Sequence, residues 1–222
     1  MKKILSIDGG GIRGIIPGQI LVHLERLLQE KSGDPEARLG EYFDFMAGTS
    51  TGGILICLLL APSSKYNRKP RYSARQAVDL YLKHGEEVFD LDIWQIITSG
   101  KGVLDEKYNE KALVKLLDQY FKKEKLSDLV KPCIVPTYDI ERRKTHFFGQ
   151  QDRARKGIGG DFYVKDVCRA TSAAPTFFEA ALVKSLSGVS YALVDGGVFA
   201  HNPTLCAYSE VPNAADHPKA KD

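Results

Sequence analysis

The segment YFDFMAGTSTGGILICLLLAP, residues 42–62, decides the fold of this chain. Tyr42 to Ala47 is a short apolar run of strand length, Gly48 to Gly53 is a glycine-rich turn, and Ile54 to Ala61 is apolar on every side until Pro62 stops it. A helix with no polar face has to be buried, so the pattern predicts a strand, a sharp turn and a helix inside the core. The N-terminal stretch repeats that grammar. Ile4 to Ile7 predicts a strand, Asp8 to Gly14 a turn, and Ile20, Leu24, Leu27 and Leu28 the apolar positions of a helix closed by Gly33-Asp34-Pro35. Pro17 falls in the first turn of that helix, where its missing N–H costs little. Two strand–turn–helix units in succession predict an α/β sheet.

Farther along, Ser73 and Gln76 have capping-box spacing and open a helix expected to reach about Phe89. Asn109 to Phe121 carries Leu113, Leu116, Leu117 and Tyr120 on one helical stripe, whereas Asp90 to Lys107 fits neither period. Ile134 to Tyr138 and Thr145 to Phe148 predict strands around a charged turn, and Lys165 to Ala174 a helix ended by Pro175. Tyr191 to Val194 predicts a last strand running into Asp195-Gly196-Gly197, and the polar stretch from Val211 a disordered tail.

Composition bounds the function. A chain of 222 residues that is 43% apolar and 27% charged is globular and of one-domain size, which excludes fibrous and disordered classes. A net charge of +3 makes no broad field for nucleic acid, so no nucleic-acid partner is expected. The longest apolar run, Ile54 to Ala61, is far short of the ~20 residues that span a bilayer as a helix. Membrane contact is therefore expected to be peripheral at most, with the basic loop holding Lys65, Arg68, Lys69 and Arg71 as its candidate. Cys57, Cys133, Cys168 and Cys206 have neither metal nor disulfide-framework spacing and are read as reduced. With no signal-peptide core at the N-terminus, that predicts a cytoplasmic location. No cluster of metal ligands is evident, and neither a metal nor a cofactor is expected.

Gly48-Thr49-Ser50-Thr51-Gly52 matches G-x-S-x-G, the elbow that lifts a serine hydroxyl out of a strand-to-helix turn. The string alone is weak, but the strand before it and the helix after it are the context it requires. Asp8-Gly9-Gly10-Gly11-Ile12-Arg13-Gly14 holds a second glycine motif, which also reads as the dinucleotide fingerprint G-x-G-x-x-G. That reading needs an acidic residue about twenty positions on at a strand end, and Asp34 sits in a Gly-Asp-Pro turn instead. The competing use is an oxyanion hole, in which glycine N–H groups point at developing negative charge. A serine elbow and an anion cradle supply two of the three parts of acyl transfer. For the base, His201 is the one histidine outside a helix, strand or tail pattern, and Asp195 at the end of a buried strand can reach Ser50 directly.

These residues resemble the patatin-like phospholipase family from the N-terminus to about Pro203. The features are met in order: the glycine turn, the elbow extended by Gly53, Arg169-Ala170-Thr171-Ser172-Ala173-Ala174-Pro175, and Asp195-Gly196-Gly197. The resemblance implies a three-layer α/β/α sandwich with a mostly parallel central sheet, and lipid acyl hydrolase activity on phospholipids or other acyl lipids. It implies Ser50 as nucleophile, Asp195 as base, and Gly9, Gly10 and Gly11 as oxyanion hole. Asp8, Arg13, Gly14, Gly48, Thr51, Gly52, Gly196 and Gly197 support them. It also implies one domain over residues 1–210, shorter at its C-terminal edge than is usual in the family, with a tail at 211–222. Family members often carry asparagine where His201 stands. A non-catalytic relative and a dinucleotide-binding module remain as alternatives.

Overall fold

The computed structural model describes residues 2–64, 66, 68–88 and 110–215. Its strands are β1 (Ile4–Ile7), β2 (Phe45–Gly48), β3 (Cys133–Asp139), β4 (Lys144–Gly149), β5 (Ala181–Lys184) and β6 (Ser190–Asp195). Its helices are α1 (Ile15–Ser32), α2 (Leu39–Tyr42), α3 (Thr51–Leu60), α4 (Ala74–Val88), α5 (Glu110–Phe121), α6 (Asp152–Lys156), α7 (Val164–Thr171), α8 (Gly197–Ala200) and α9 (Thr204–Ala215). The ambiguous stretch from Asp90 to Lys107 and residues 216–222 lie outside the described residues.

All six strands form one sheet in which β1, β2, β3 and β5 run one way and β4 and β6 the other. β1 and β2 are in parallel register with Ile7 opposite Gly48, so the turns that follow them emerge side by side. β4 occupies one edge of β3 from Ile134 to Asp139. A strand has only two hydrogen-bonding edges, so the other edge of β3 is shared. β2 holds its beginning, with Met46 opposite Cys133, and β6 holds its end from the opposite direction, with Asp195 opposite Thr137. The C-terminal ends of β2 and β6 thus meet along one edge, which brings the elbow after β2 to Asp195.

Every residue of α3 is buried, and the helix packs against β2, α4 and α7. Each large aliphatic side chain so buried contributes roughly 1.5–3 kcal/mol. On the opposite face α9 packs on β1, β2 and β3, with Ala207 buried among Phe45, Ala47 and Ile134. Helices on both faces give three layers. No helix among the described residues is long and apolar enough to cross a membrane.

The Ser73–Gln76 capping box forms in both directions, at 2.9 and 3.2 Å. Four local expectations differ from the structure. The buried face of α1 is centred one residue on from the expected stripe, with Gly18, Leu21 and Glu25 inside, Leu24 and Leu28 half-buried against the core, and Ile16 and Ile20 exposed. The cause is tertiary: Gly18 lies so close to α4 that a Cβ there would be 2.5 Å from Val78 Cγ2. The buried Glu25 carboxylate accepts the N–H groups of Leu39 and Ala74 at 3.0 and 2.8 Å, joining the starts of α2 and α4. α2 takes the beginning of the strand expected from Tyr42. β5 escapes the sequence pattern because it has four residues and leaves Leu182 81% exposed. α9 continues to Ala215, into the expected tail, because Val211 still packs on the second face of the sheet.

β4 places His146 in a cluster of rings, 4.7 Å from Phe148 and 4.9 Å from Tyr191 between centroids. Burial first, and the nearby Lys156 charge second, lower its pKa from 6.5 to about 4. An unfolded histidine binds its proton near pH 6.5, so between those values the unfolded state holds more protons and stability is lost as the pH drops from 6.5 toward 4. The full shift corresponds to about 3 kcal/mol. Urea unfolding at pH 7 and pH 4.5 is expected to show a loss for wild type that is about 2–3 kcal/mol larger than for His146→Phe, which keeps a ring in place. Equal losses in the two proteins would assign the acid sensitivity to other groups.

Candidate active site

Ser50 stands at the start of α3 with φ 55° and ψ −125°, a strained conformation for a residue with a side chain. The flanking glycines make the turn possible. A Cβ on Gly48 would lie 2.3 Å from the Gly52 carbonyl oxygen, and one on Gly52 would lie 2.4 Å from that of Ile7. The strain is held from several sides. The Ser50 N–H donates to Thr171 Oγ1 at 3.0 Å, and the Thr171 hydroxyl donates to the Pro136 carbonyl at 2.8 Å. Thr49 Oγ1 donates to the Ala200 carbonyl at 2.7 Å, and Tyr81 donates to that of Thr51 at 2.7 Å. The buried N-terminus of α3 points its partial positive charge at the serine.

Asp195 ends β6 and is 5% exposed. Its N–H donates to the Ala173 carbonyl at 2.9 Å, and its Oδ1 accepts the Gly197 N–H at 2.6 Å. The carboxylate and the Ser50 hydroxyl line the same cleft, and the hydroxyl favours the charged form of Asp195. Burial raises its pKa above the ordinary aspartate value, and the nearby Ser50 hydroxyl, the Gly197 N–H and the His201 charge offset part of that rise. Gly196 lets the chain turn away beneath β3, since a Cβ there would lie 2.3 Å from the Pro136 carbonyl oxygen.

The glycine turn lies beside the elbow. Gly10 and Gly11 have φ of 156° and 57°, and both line the same cleft as Ser50 and Asp195. The Gly9 N–H donates to the His201 carbonyl at 3.2 Å, so it anchors the turn instead of facing the cleft. Arg13 lines the cleft and bonds back to the Gly10 carbonyl through Nε at 3.4 Å. Gly14 and Thr51 belong to the packing under the turn, where a Cβ on Gly14 would meet Tyr81 and Thr51. Asp8 is exposed at the end of β1. The cleft has a volume of about 330 Å³, and Ile12, Pro175, Phe177, Phe178 and Val198 give it apolar walls over the polar Ser50 and Asp195.

Sequence reasoning missed the wall and the braces. Phe177 and Phe178 line the cleft, Thr171 holds the Ser50 amide, and Ala173 holds the Asp195 amide. Thr171 and Ala173 fall in the run Arg169 to Pro175, the one sequence signal for the braces, and the two phenylalanines carry none. Asp34 lies at the far end of α1 from the glycine turn, where it accepts the Glu36 N–H, so the dinucleotide reading lacks its ribose carboxylate. The basic loop is also remote. α3 runs about 15 Å from Ser50 to that loop, where Arg68 donates to the Leu129 carbonyl and Arg71 pairs with Glu124. Among the described residues no group of three or more His, Cys, Asp or Glu is placed to hold a metal ion.

The family model for patatin-like phospholipase matches residues 5–208 of this chain. Patatin-like protein 2 of Oryza sativa subsp. indica is 39% identical over 218 residues, covering 95% of this chain and 53% of that protein. Patatin-like protein 3 of Arabidopsis thaliana is 38% identical over 224 residues, covering 95% and 52%. The Arabidopsis thaliana protein named Probable inactive patatin-like protein 9 is 35% identical over 223 residues, covering 97% and 56%. The chain therefore spans about half the length of the curated relatives it matches. Among solved structures, VipD from Legionella pneumophila aligns with TM-score 0.38 at 14% identity, over 89% of this chain and 46% of that one.

The two kinds of glycine predict different costs. Gly52→Ala drives a Cβ into the backbone of β1 and is expected to lower stability by about 2–3 kcal/mol, or more if the elbow cannot shift. Gly11→Ala meets nothing within 4 Å and carries only the positive-φ penalty, about 1–2 kcal/mol. Urea denaturation of the two variants checks the order, and a Gly52→Ala loss no larger than that of Gly11→Ala would mean that the elbow is soft.

Proposed function

The chain belongs to the patatin-like phospholipase family, and from that membership and the geometry of its cleft we propose that it is a lipid acyl hydrolase acting through a Ser50–Asp195 dyad. The observation that carries this reading is a strained serine and a buried carboxylate lining one apolar cleft beside a glycine turn. In this mechanism Asp195 takes the Ser50 proton as Oγ attacks the acyl carbonyl carbon. The Gly10 and Gly11 N–H groups and the α3 N-terminus stabilise the oxyanion; one such donor is worth roughly 3 kcal/mol. Collapse of the tetrahedral species breaks the ester bond, and Asp195 returns the proton to the leaving alkoxide. Water, deprotonated by the same carboxylate, then releases the fatty acid and restores Ser50.

The substrate class is an acyl lipid, with a phospholipid as the first candidate. The apolar walls suit an acyl chain, and Arg13 at the same cleft suits an anionic head group. Membrane contact that serves this cleft uses the end of the sheet where Val198 and Phe199 are 50% and 38% exposed; the basic loop beyond α3 faces the wrong end. Four free cysteines, three of them buried, support a reducing location such as the cytoplasm. The second reading, a non-catalytic relative, is favoured only by the likeness to the protein named Probable inactive patatin-like protein 9.

Fluorophosphonate labelling with parallel hydrolysis of a p-nitrophenyl ester tests the proposal. Wild type is expected to label and turn over; Ser50→Ala should do neither, and Asp195→Asn should lose at least about a hundredfold in kcat/KM with its fold intact by circular dichroism. A folded wild type that neither labels nor hydrolyses ester would move the non-catalytic reading to the front. Activity should fall as acid protonates Asp195, and its raised pKa puts that limb above the ordinary aspartate range.

A further inference from the structure

The Ser50–Asp195 pair has a third neighbour that the proposed mechanism does not use. His201 follows α8, its carbonyl accepts the Gly9 N–H at 3.2 Å, and its side chain lines the cleft. Two glycines place its ring. A Cβ on Gly9 would lie 3.2 Å from Ser50 Cβ and 3.4 Å from His201 Nδ1, and one on Gly197 would lie 3.0 Å from Asp195 Oδ1 and 3.6 Å from His201 Nδ1. Because each pair shares one such point, the imidazole lies within about 7 Å of both the nucleophile and the carboxylate, inside the Debye length of about 8 Å at physiological salt.

We propose that His201 is a positioning residue for the Ser50–Asp195 pair: its ring, beside Gly9 and Gly197, places a cation at the mouth of the cleft and extends catalysis into acidic solution. The inference rests on the dyad reading. Asp195 is buried, which disfavours its charged form, and an opposite charge a few ångströms away counters that penalty. Histidine is the side chain whose ordinary titration lies between pH 5 and 8, so the cation is present in the acid where the carboxylate most needs it. The charged side chains on the elements packed against the ring are Asp195 on β6 and Asp8 and Arg13 on the glycine turn. Of the two cationic side-chain types here, only histidine is one whose charge can change in this pH range.

The test is the pH profile of kcat/KM for a soluble p-nitrophenyl ester in wild type, His201→Asn and His201→Gln, with melting curves to check folding. Both substitutions keep the carbonyl that accepts the Gly9 N–H. The acid limb is expected to move up by about 0.5–1 pH unit in both variants, so the ratio of kcat/KM at pH 5.5 to that at pH 8.5 drops about 3- to 10-fold. Added salt should narrow the gap, because the imidazolium is solvent-exposed. Coincident acid limbs in wild type and both variants, with Ser50→Ala and Asp195→Asn inactive, would overturn the role of His201 and leave the dyad standing. Turnover that survives in Ser50→Ala or Asp195→Asn would instead remove the dyad, and this proposal with it.

Discussion

One edge of β3 carries two strands that arrive from opposite directions, β2 at Cys133 and Ile134 and β6 at Thr137 to Asp139. Since β4 occupies the other edge, neither strand can run the full length of β3, and their ends are forced together. That meeting brings residues 145 positions apart into one cleft, a serine just beyond β2 and the last residue of β6. The remaining parts of the cleft are arranged around it. β1 in register with β2 sets the glycine turn alongside the elbow, and α3 leaves the elbow directly into the core.

The elbow is costly to hold, and the cost is met by its neighbours. A positive φ at a serine is worth about 1–3 kcal/mol of strain, and it persists only where the surroundings over-determine it. Here the hydroxyl of Thr171 takes the Ser50 amide and itself donates to β3, while Thr49 is tied to the end of α8. α3 then locks the serine from below, because a helix buried along all its length has no room to shift. The same rigidity keeps Asp195 dry. A carboxylate in water is a weak base, and one held at 5% exposure is a stronger one.

Much of this was legible in the residue order. The strand–turn–helix units, the capping box at Ser73 and the helix after Asn109 all follow from local patterns, and each is present. What failed to show was non-local. The buried face of α1 is set by Gly18 against Val78 and by Glu25 beneath two helix starts, so of the expected stripe Leu24 and Leu28 reach the core while Ile20 is exposed. β5 is too short and too exposed to announce itself, and α9 is held by the far face of the sheet. In the cleft, Phe177 and Phe178 carry no motif at all; they become a wall only because α7 ends beside β6.

The sequence by itself determined the elbow and the glycine turn, because only glycine tolerates the close backbone approaches and positive φ that these turns require, and that requirement is local. It also determined that Ile54 to Ala61 goes inside, since a helix without a polar face has nowhere else to go. Tertiary structure alone decided that Asp195 faces Ser50, that the Gly9 N–H is spent on His201 while Gly10 and Gly11 face the cleft, and that the basic loop stands at the far end of α3. The reason is that sheet register, and not spacing along the chain, sets which strand ends meet, and register is settled by the burial of both faces of the sheet together.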